Sequence, residues 1–279
     1  MLMVALCAGL TGCQMFEPEN DNHSTAERLE EDPSFAEGLL LRAYTFVPTN
    51  SYSFDDVATD NAVSADKFNT YLRMATGEWS PQFNPQDSWT DANRAIMNIN
   101  EFLSVVTRIK WKYTDKELND LYVMRMRGEA HALRALFKFY VLRNHGGVGE
   151  DGNLLGGRLL NDFPVDNEGF TTDRVSFQDY LESAYSDIET AIANLPYEYG
   201  DIARILDAPE QYWYITDVRN YNTVFGNTMF QRIDGKAARA IRARFALLAA
   251  SPAFNIHNDM GLWEQAARYN VELLEKIGG

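Results

Sequence analysis

Apolar residues recur every three or four positions through most of the chain, which is the period of an amphipathic α-helix. An early stripe lies between Pro33, which suits a first helical turn, and Pro48, which stops the helix. Its members are Phe35, Leu39, Ala43 and Phe46. The next stripe consists of Trp89, Ala92, Ile96, Ile99, Leu103 and Val106. Each stripe predicts a helix that must pack against another helix to cover its apolar face.

The longest helical pattern is predicted over residues 115–144, after a short connection at residues 108–114. This helix and the preceding one should therefore form an αα-hairpin. Gly128 and several alanines would let neighbouring backbones approach closely, while bulk comes from Leu133, Leu136, Phe137 and Tyr140. Glu129 lies one turn after Arg125, and this spacing predicts an ion pair rather than a catalytic role.

Three further helices are predicted, two of them with capping residues. Ser176 opens one, with Asp179 as the acid of a capping box, and Pro196 stops it. Asp234 can cap an alanine-rich helix over residues 235–250. The last helix is predicted over about residues 262–277. Its inward face is predicted to consist of Trp263, Ala266, Asn270 and Leu273.

Strand signals are sparse, because no run of alternating β-branched residues stands out. The pattern therefore predicts an all-α protein of paired helices in an α-solenoid-like layout, without a strict repeat. Two connections, residues 47–86 and 197–233, are far longer than a compact helical domain needs. Long ordered loops are usually functional, so both are candidates for a binding site.

The first residues indicate export. Residues 2–10 form an apolar run too short to span a bilayer, and Leu10-Thr11-Gly12-Cys13 matches a bacterial lipobox. We therefore expect a signal peptide over residues 1–12 and a lipid-anchored Cys13. A flexible acidic tether is expected over residues 13–32 and a helical domain over 33–279. With a formal net charge of −15 and a pI of about 4.7, nucleic acid is not expected as a partner.

Catalytic signatures are weak. Gly147-Val148-Gly149-Glu150-Asp151-Gly152 fits G-x-G-x-x-G, but it follows a helix and carries two acids where a pyrophosphate would bind, so a helix cap and turn is the better interpretation. The four histidines are scattered, without a zinc-binding H-E-x-x-H or a nucleophile elbow. We expect no enzyme activity, no metal and no cofactor.

Aromatic residues in the two long connections point to binding. Flat sugar faces stack on exposed rings, and sugar hydroxyls bind amide, carboxylate and guanidinium groups. In the first connection the predicted ligand-binding residues are Trp79, Tyr71, Arg73, Asp60 and Asn84. Further aromatics there include Tyr52, Phe54, Phe68 and Phe83. The second connection carries Tyr212, Trp213, Tyr214, Tyr221, Phe225 and Phe230, any of which could instead pin the loop to the core.

Several short motifs follow the lipobox in order: Thr59-Asp60-Asn61-Ala62, Arg127-Gly128-Glu129-Ala130, Gly146-Gly147-Val148 and Ala250-Ser251-Pro252-Ala253. In order and spacing they resemble the N-terminal portion of SusD/RagB lipoproteins of Bacteroidetes outer membranes. The resemblance implies a tetratricopeptide-like helical framework in which the Arg-rich helix is scaffold. It also implies a surface-exposed, outer-membrane lipoprotein that binds oligosaccharide or polysaccharide and delivers it to a SusC-like TonB-dependent transporter.

Alternatives stay open at this point. Some members of the family bind peptides, and a tetratricopeptide-like scaffold could bind only protein. The chain departs from the family where Gly149-Glu150-Asp151 replaces a usual proline. Family members are also commonly much longer, so we expect this chain to be the N-terminal part of a longer protein. The last two helices should then expose apolar surface and favour self-association.

Overall fold

A computed structural model describes residues 26–48, 55–80, 82–160, 162 and 172–277. The sequence predictions for Cys13, Tyr52 and Phe54 lie outside the described residues. Within them, the chain forms nine α-helices and one small sheet. The helices are α1 Ala26–Glu31, α2 Pro33–Thr45, α3 Thr70–Ala75, α4 Trp89–Val105, α5 Lys116–His145, α6 Phe177–Asn194, α7 Val218–Phe225, α8 Gly235–Ala250 and α9 Met260–Ile277. The all-α prediction is confirmed.

Local capping bonds explain where the helices begin. Asp115 Oδ1 accepts the Leu118 amide at 2.8 Å, Ser176 Oγ accepts the Asp179 amide at 3.1 Å, and Asp234 Oδ1 accepts the Ala237 amide at 2.8 Å. Each bond satisfies an amide that has no partner within its own helix. The three predicted starts are confirmed.

Helix α5 is the centre of the fold, because α4, α6, α7 and α8 all pack against it. Its close approach to the end of α6 depends on Gly128. A Cβ atom at that position would lie 2.6 Å from Leu195 Cγ, closer than packed carbon atoms can be. The neighbouring Glu129 is fully buried and is bound by Arg125 and Arg232. The Arg-rich helix is therefore scaffold, and the predicted Arg125–Glu129 ion pair is confirmed.

The sheet consists of three short antiparallel strands, β1 Gly147–Val148, β2 Leu154–Arg158 and β3 Arg174–Ser176, in that order. Sequence reasoning missed them because each is very short. The G-x-G-x-x-G match covers β1 and the turn that leads from it to β2. There, the Gly149 amide donates to Asn153 O at 2.8 Å, and Gly152 has a φ of +81°, which favours glycine.

Two helix faces differ from their predicted orientation. Phe35 is 40% exposed, and the buried face of α2 is Ala36, Leu39, Leu40 and Ala43. On α9, Trp263 is 38% exposed, while Ala266 packs with Ala246 and Ala250 of α8. Helix α9 packs mainly against α8, and Tyr269 adds an edge contact with Tyr185 of α6, with ring centroids 6.2 Å apart, so much of its surface stays uncovered. Val271 and Leu274 are also exposed, as expected for apolar surface on the last helix.

Two segments predicted to be irregular contain structure. The expected tether reaches residue 32, yet residues 26–31 form α1, anchored by buried Leu29 and by Glu30, which binds Arg108 Nε at 2.5 Å. The second long connection contains α7 and buries Tyr212, Tyr221 and Phe225. These three rings contact one another, so they hold this connection to the core.

Candidate functional site

An open cavity of about 680 Å³ lies where the first long connection meets the end of α5. Its lining residues are Trp79, Ser80, Asn84, Asp87, Trp89, Asn144, His145 and Arg174. A smaller cavity of about 190 Å³ shares Trp79, Asn84 and Asn144. We call the two together the Trp79 cleft. Trp79 itself is 58% exposed, so a large part of its ring is available to a ligand.

The base of the cleft is built by the last turn of α5. Asn144 Nδ2 donates to Gln86 O at 2.7 Å and to Ser88 Oγ at 3.0 Å, which ties the start of α4 to the end of α5. Its Oδ1 accepts from Arg143 Nε at 2.9 Å. Because both ends of the amide are used, Asn144 positions the cleft.

His145 connects three elements at the bottom of the cleft. The Trp89 ring meets the imidazole edge to face, with centroids 5.4 Å apart, and Arg174 Nη2 donates to the His145 carbonyl at 2.6 Å. Burial lowers the pKa of His145, with Arg174 acting in the same direction and Asp87 against both. The imidazole is therefore neutral at pH 7, and its Nε2 accepts the Ser88 amide at 3.3 Å.

The loop carrying Trp79 is held from below by Arg73. The Arg73 guanidinium lies 3.7 Å from the centroid of Phe83 and binds Glu78 Oε2 at 2.7 Å. Ser80 and Phe83 exchange two backbone hydrogen bonds at 2.9 and 3.2 Å, closing a tight turn just after Trp79. Arg73 therefore supports the loop, and its side chain is already engaged by protein groups.

Of the predicted ligand-binding residues, the structure brings Trp79 and Asn84 together in the cleft. Asn84 Oδ1 accepts the Gln86 amide at 2.9 Å, and its Nδ2 group makes no hydrogen bond with the described residues. Tyr71 is half-buried on α3, and Asp60 is exposed beyond the short 3₁₀-helix at Asp55–Ala58. Neither lines the cleft in the described chain, so both remain predictions without a shared site.

Sequence reasoning missed Asp87, Trp89, His145 and Arg174 as cleft residues. Trp89 matched a helix stripe and was assigned to the packed face, and His145 matched no metal or catalytic pattern. Asp87 is 58% exposed and binds the Trp89 amide through Oδ1 at 2.9 Å. One signal for this part of the cleft could be read from the sequence. Residues 84–89 contain Asn, Asp and Trp and end at the first residue of α4.

The chemistry of the cleft fits binding better than hydrolysis. Ser88, His145 and Asp87 lie close together, but the Ser88 hydroxyl donates to Tyr140 O at 3.3 Å, and it is the Ser88 amide that meets His145. The imidazole therefore does not activate the hydroxyl as a nucleophile. In the part of the chain that the structure describes, no group of three or more histidine, cysteine or acidic residues is placed to hold a metal ion.

Comparison with known proteins places the fold. No family model and no curated protein matches the chain. Solved structures do match. A SusD-like protein from Bacteroides fragilis has a TM-score of 0.60 at 18% identity, over 87% of this chain and 38% of that one. A laminarin-binding SusD-like protein has a TM-score of 0.57 at 17% identity, over 88% and 44%.

A SusD-like carbohydrate-binding protein from Bacteroides vulgatus has a TM-score of 0.53 at 17% identity, over 88% of this chain and 45% of that one. The chain therefore has the SusD-like fold, a tetratricopeptide-like helical framework, and spans less than half the length of each of these proteins. Among the residues described, no helix is long and apolar enough to cross a membrane.

Proposed function

We propose that this protein is a SusD/RagB-type surface lipoprotein that captures oligosaccharide and passes it to a SusC-like TonB-dependent transporter. The observation that carries the proposal is Trp79, a large ring 58% exposed beside a polar cleft, on a SusD-like fold. Solved proteins of this fold described as laminarin-binding and carbohydrate-binding support a glycan ligand. The role is binding, without catalysis.

The cleft offers the two kinds of contact that a sugar needs. The Trp79 ring supplies a flat apolar face for the C–H side of a pyranose. Asn84 Nδ2 can donate a hydrogen bond to a sugar hydroxyl. Asp87 Oδ2, the oxygen that does not bind the Trp89 amide, can accept one from a sugar hydroxyl. Because Arg73 and Asn144 hold these groups from behind, little ordering is needed when a ligand binds.

Replacing Trp79 with alanine should remove most of the saccharide affinity, by about 1–3 kcal/mol if the ring behaves as other aromatic stacking platforms do. The full-length protein is first tested on an array of neutral, uronate-containing and sulfated oligosaccharides. Calorimetry then measures affinity for the strongest array ligand. The melting temperature should change little, because the ring is largely exposed.

Trp213→Ala is the matched control, since Trp213 is also exposed, at 47%, but lies outside the Trp79 cleft. It should bind with wild-type affinity. Equal affinity in wild type and Trp79→Ala, or loss of affinity in both variants, would contradict the proposed site. Unfolding of Trp79→Ala alone would assign the ring a structural role.

The anchor is proposed from sequence, because residues 1–25 lie outside the described chain. Residues 1–12 act as the signal peptide, Cys13 carries the lipid, and the acidic residues after it form the tether up to α1. Cys13→Ala should move the protein from the outer-membrane fraction to the soluble fraction, since acyl chains supply the membrane affinity. Persistence of Cys13→Ala in washed outer membranes would show that another feature provides the anchor.

A further inference from the structure

A second cavity of about 680 Å³ adjoins the Trp79 cleft, because Trp89 lines both. It is formed by the last turn of α2, the first half of α4 and the end of β2. Its lining residues are Arg42, Phe46, Trp89, Thr90, Asn93, Arg94, Met97, Asn98, Arg158 and Leu160. We call it the arginine pocket, after Arg42, Arg94 and Arg158.

The charge of this pocket contrasts with that of the chain. Three arginines line one cavity of a protein whose formal net charge is −15. Of the fourteen other arginines whose side chains the structure describes, nine make ion pairs: Arg73, Arg108, Arg125, Arg134, Arg204, Arg219, Arg232, Arg239 and Arg242. The three pocket arginines make none with the described residues. A bound anion would supply them with a counterion.

The other lining groups suit a sugar ring that carries the anion. The Arg158 guanidinium lies 5.6 Å from the centroid of the Trp89 ring, so a cation and an aromatic ring share one wall. Asn93 Nδ2 is used by the Trp89 carbonyl at 2.8 Å, which leaves Asn93 Oδ1 for a hydroxyl donor. Asn98 is half-buried in the same lining and supplies a second amide.

We propose that the arginine pocket binds the anionic group of an acidic oligosaccharide, a uronate carboxylate or a sulfate ester, whose neighbouring units occupy the Trp79 cleft. The planar fork of an arginine matches both oxyanions with two parallel hydrogen bonds. The inference rests on the proposed saccharide-binding function and specifies its substrate class. Trp89, shared by both cavities, lies where the two parts of the ligand meet.

The test compares the full-length wild-type protein with a triple variant, Arg42→Gln, Arg94→Gln and Arg158→Gln, on the same oligosaccharide array. Uronate-containing and sulfated chains should bind most strongly to the wild type. The triple variant should lose at least about tenfold in affinity for them, since a hydrogen bond between an arginine and an anion contributes more binding free energy than a neutral one. Comparing the uronate-containing with the sulfated chains on the array shows which anion is preferred. Affinity for neutral chains should stay within about twofold, because those contacts lie in the Trp79 cleft.

A control triple variant removes the same charge from exposed sites outside the pocket, through Arg127→Gln, Arg219→Gln and Arg268→Gln. It should keep wild-type affinity for acidic chains, whereas an equal loss would indicate a general charge effect and overturn the proposal. Circular dichroism and melting temperature verify folding, and Arg94→Gln alone replaces the pocket triple variant if that protein melts early. Its expected loss is about threefold or more.

The outcomes separate this inference from the function on which it rests. Suppose that neutral chains bind best, that Trp79→Ala weakens their binding and that the pocket triple variant does not. This result would overturn the proposal of an acidic ligand and would leave the proposed saccharide binding in place. Acidic chains bound equally by the pocket variant would overturn the assigned pocket. No binding of any saccharide would overturn both proposals.

Discussion

Replacing Asp187 with alanine should lower the free energy of unfolding by about 3–5 kcal/mol, because it leaves buried cations without their counterion. Asp187 is 2% exposed on α6 and faces α5. Its carboxylate binds Arg134 Nη2 at 2.5 Å, Lys138 Nζ at 2.8 Å and His131 Nδ1 at 2.8 Å. Chemical denaturation of the purified protein at pH 7 measures the loss.

The control is Asp173→Asn, a change at an exposed carboxylate just before β3 that should stay within about 0.5 kcal/mol of wild type. Asp187→Asn is a second variant that keeps the shape and removes the charge. It should also be strongly destabilised if the cations need a counterion. A loss below about 1 kcal/mol in both Asp187 variants would show that solvent replaces the carboxylate.

The same cluster predicts how stability depends on pH. Burial alone would raise the pKa of Asp187, but the hydrogen bond from His131 and the charges of Lys138 and Arg134 outweigh it and hold the pKa well below its ordinary value. The stabilisation is thus complete above the unfolded-state pKa of about 3.9 and is lost as the pH falls towards the folded-state pKa. The difference between wild type and Asp187→Ala should shrink below about pH 4.

Glu129→Ala is the second large effect, with an expected loss of about 3–5 kcal/mol in the free energy of unfolding. Glu129 is 0% exposed, binds Arg125, and accepts from Arg232 Nη1 at 3.0 Å and from Tyr44 Oη at 2.8 Å. Burial, and next the Glu129 charge, raise the pKa of Tyr44, so its hydroxyl stays protonated and donates. The carboxylate therefore joins α2, α5 and the segment before α8.

Thermal and chemical unfolding should both report the loss, with Glu264→Ala on the exposed face of α9 as the matched control. A double variant, Arg125→Met with Glu129→Leu, should be more stable than Glu129→Ala, because it removes a buried cation together with its partner. The losses of unfolding free energy in Arg125→Met and Glu129→Leu are also measured separately. If the loss in the double variant equals their sum, the two side chains act independently, which would contradict the network.

The starts of α5, α6 and α8 could be read from the sequence because the groups that set them are close together along the chain. Asp115, Ser176 and Asp234 each bind an amide three residues ahead, and Pro196 stops α6 wherever the helix packs. The buried side of α6 follows a regular spacing: Tyr180, Ala184, Ile188, Ala191 and Leu195 are all buried, since a helix covered along one side has an apolar stripe with the helical period.

Exposure of single aromatic residues was decided by tertiary packing. Trp79 is exposed, as predicted. Trp263 is also exposed, although it was predicted to face inward. Tyr212 and Phe225, in the second long connection that was a candidate for a binding site, are buried. Spacing assigns a residue to a face of its own helix. Which face is covered depends on the neighbouring helices, and α9 packs mainly on α8 whereas four helices pack against α5.

The sequence by itself determined an all-α framework, the starts of α5, α6 and α8 and the Arg125–Glu129 ion pair, because each depends on local bonds or on a regular stripe. The tertiary structure decided which predicted residues share a cleft and which further residues line it. Asn144 binds Ser88 across 56 residues, and Trp89 meets both His145 and Arg158. Contacts between such distant residues leave no local pattern in the sequence. Local signals set each helix end separately, whereas these contacts depend on how the ends pack together.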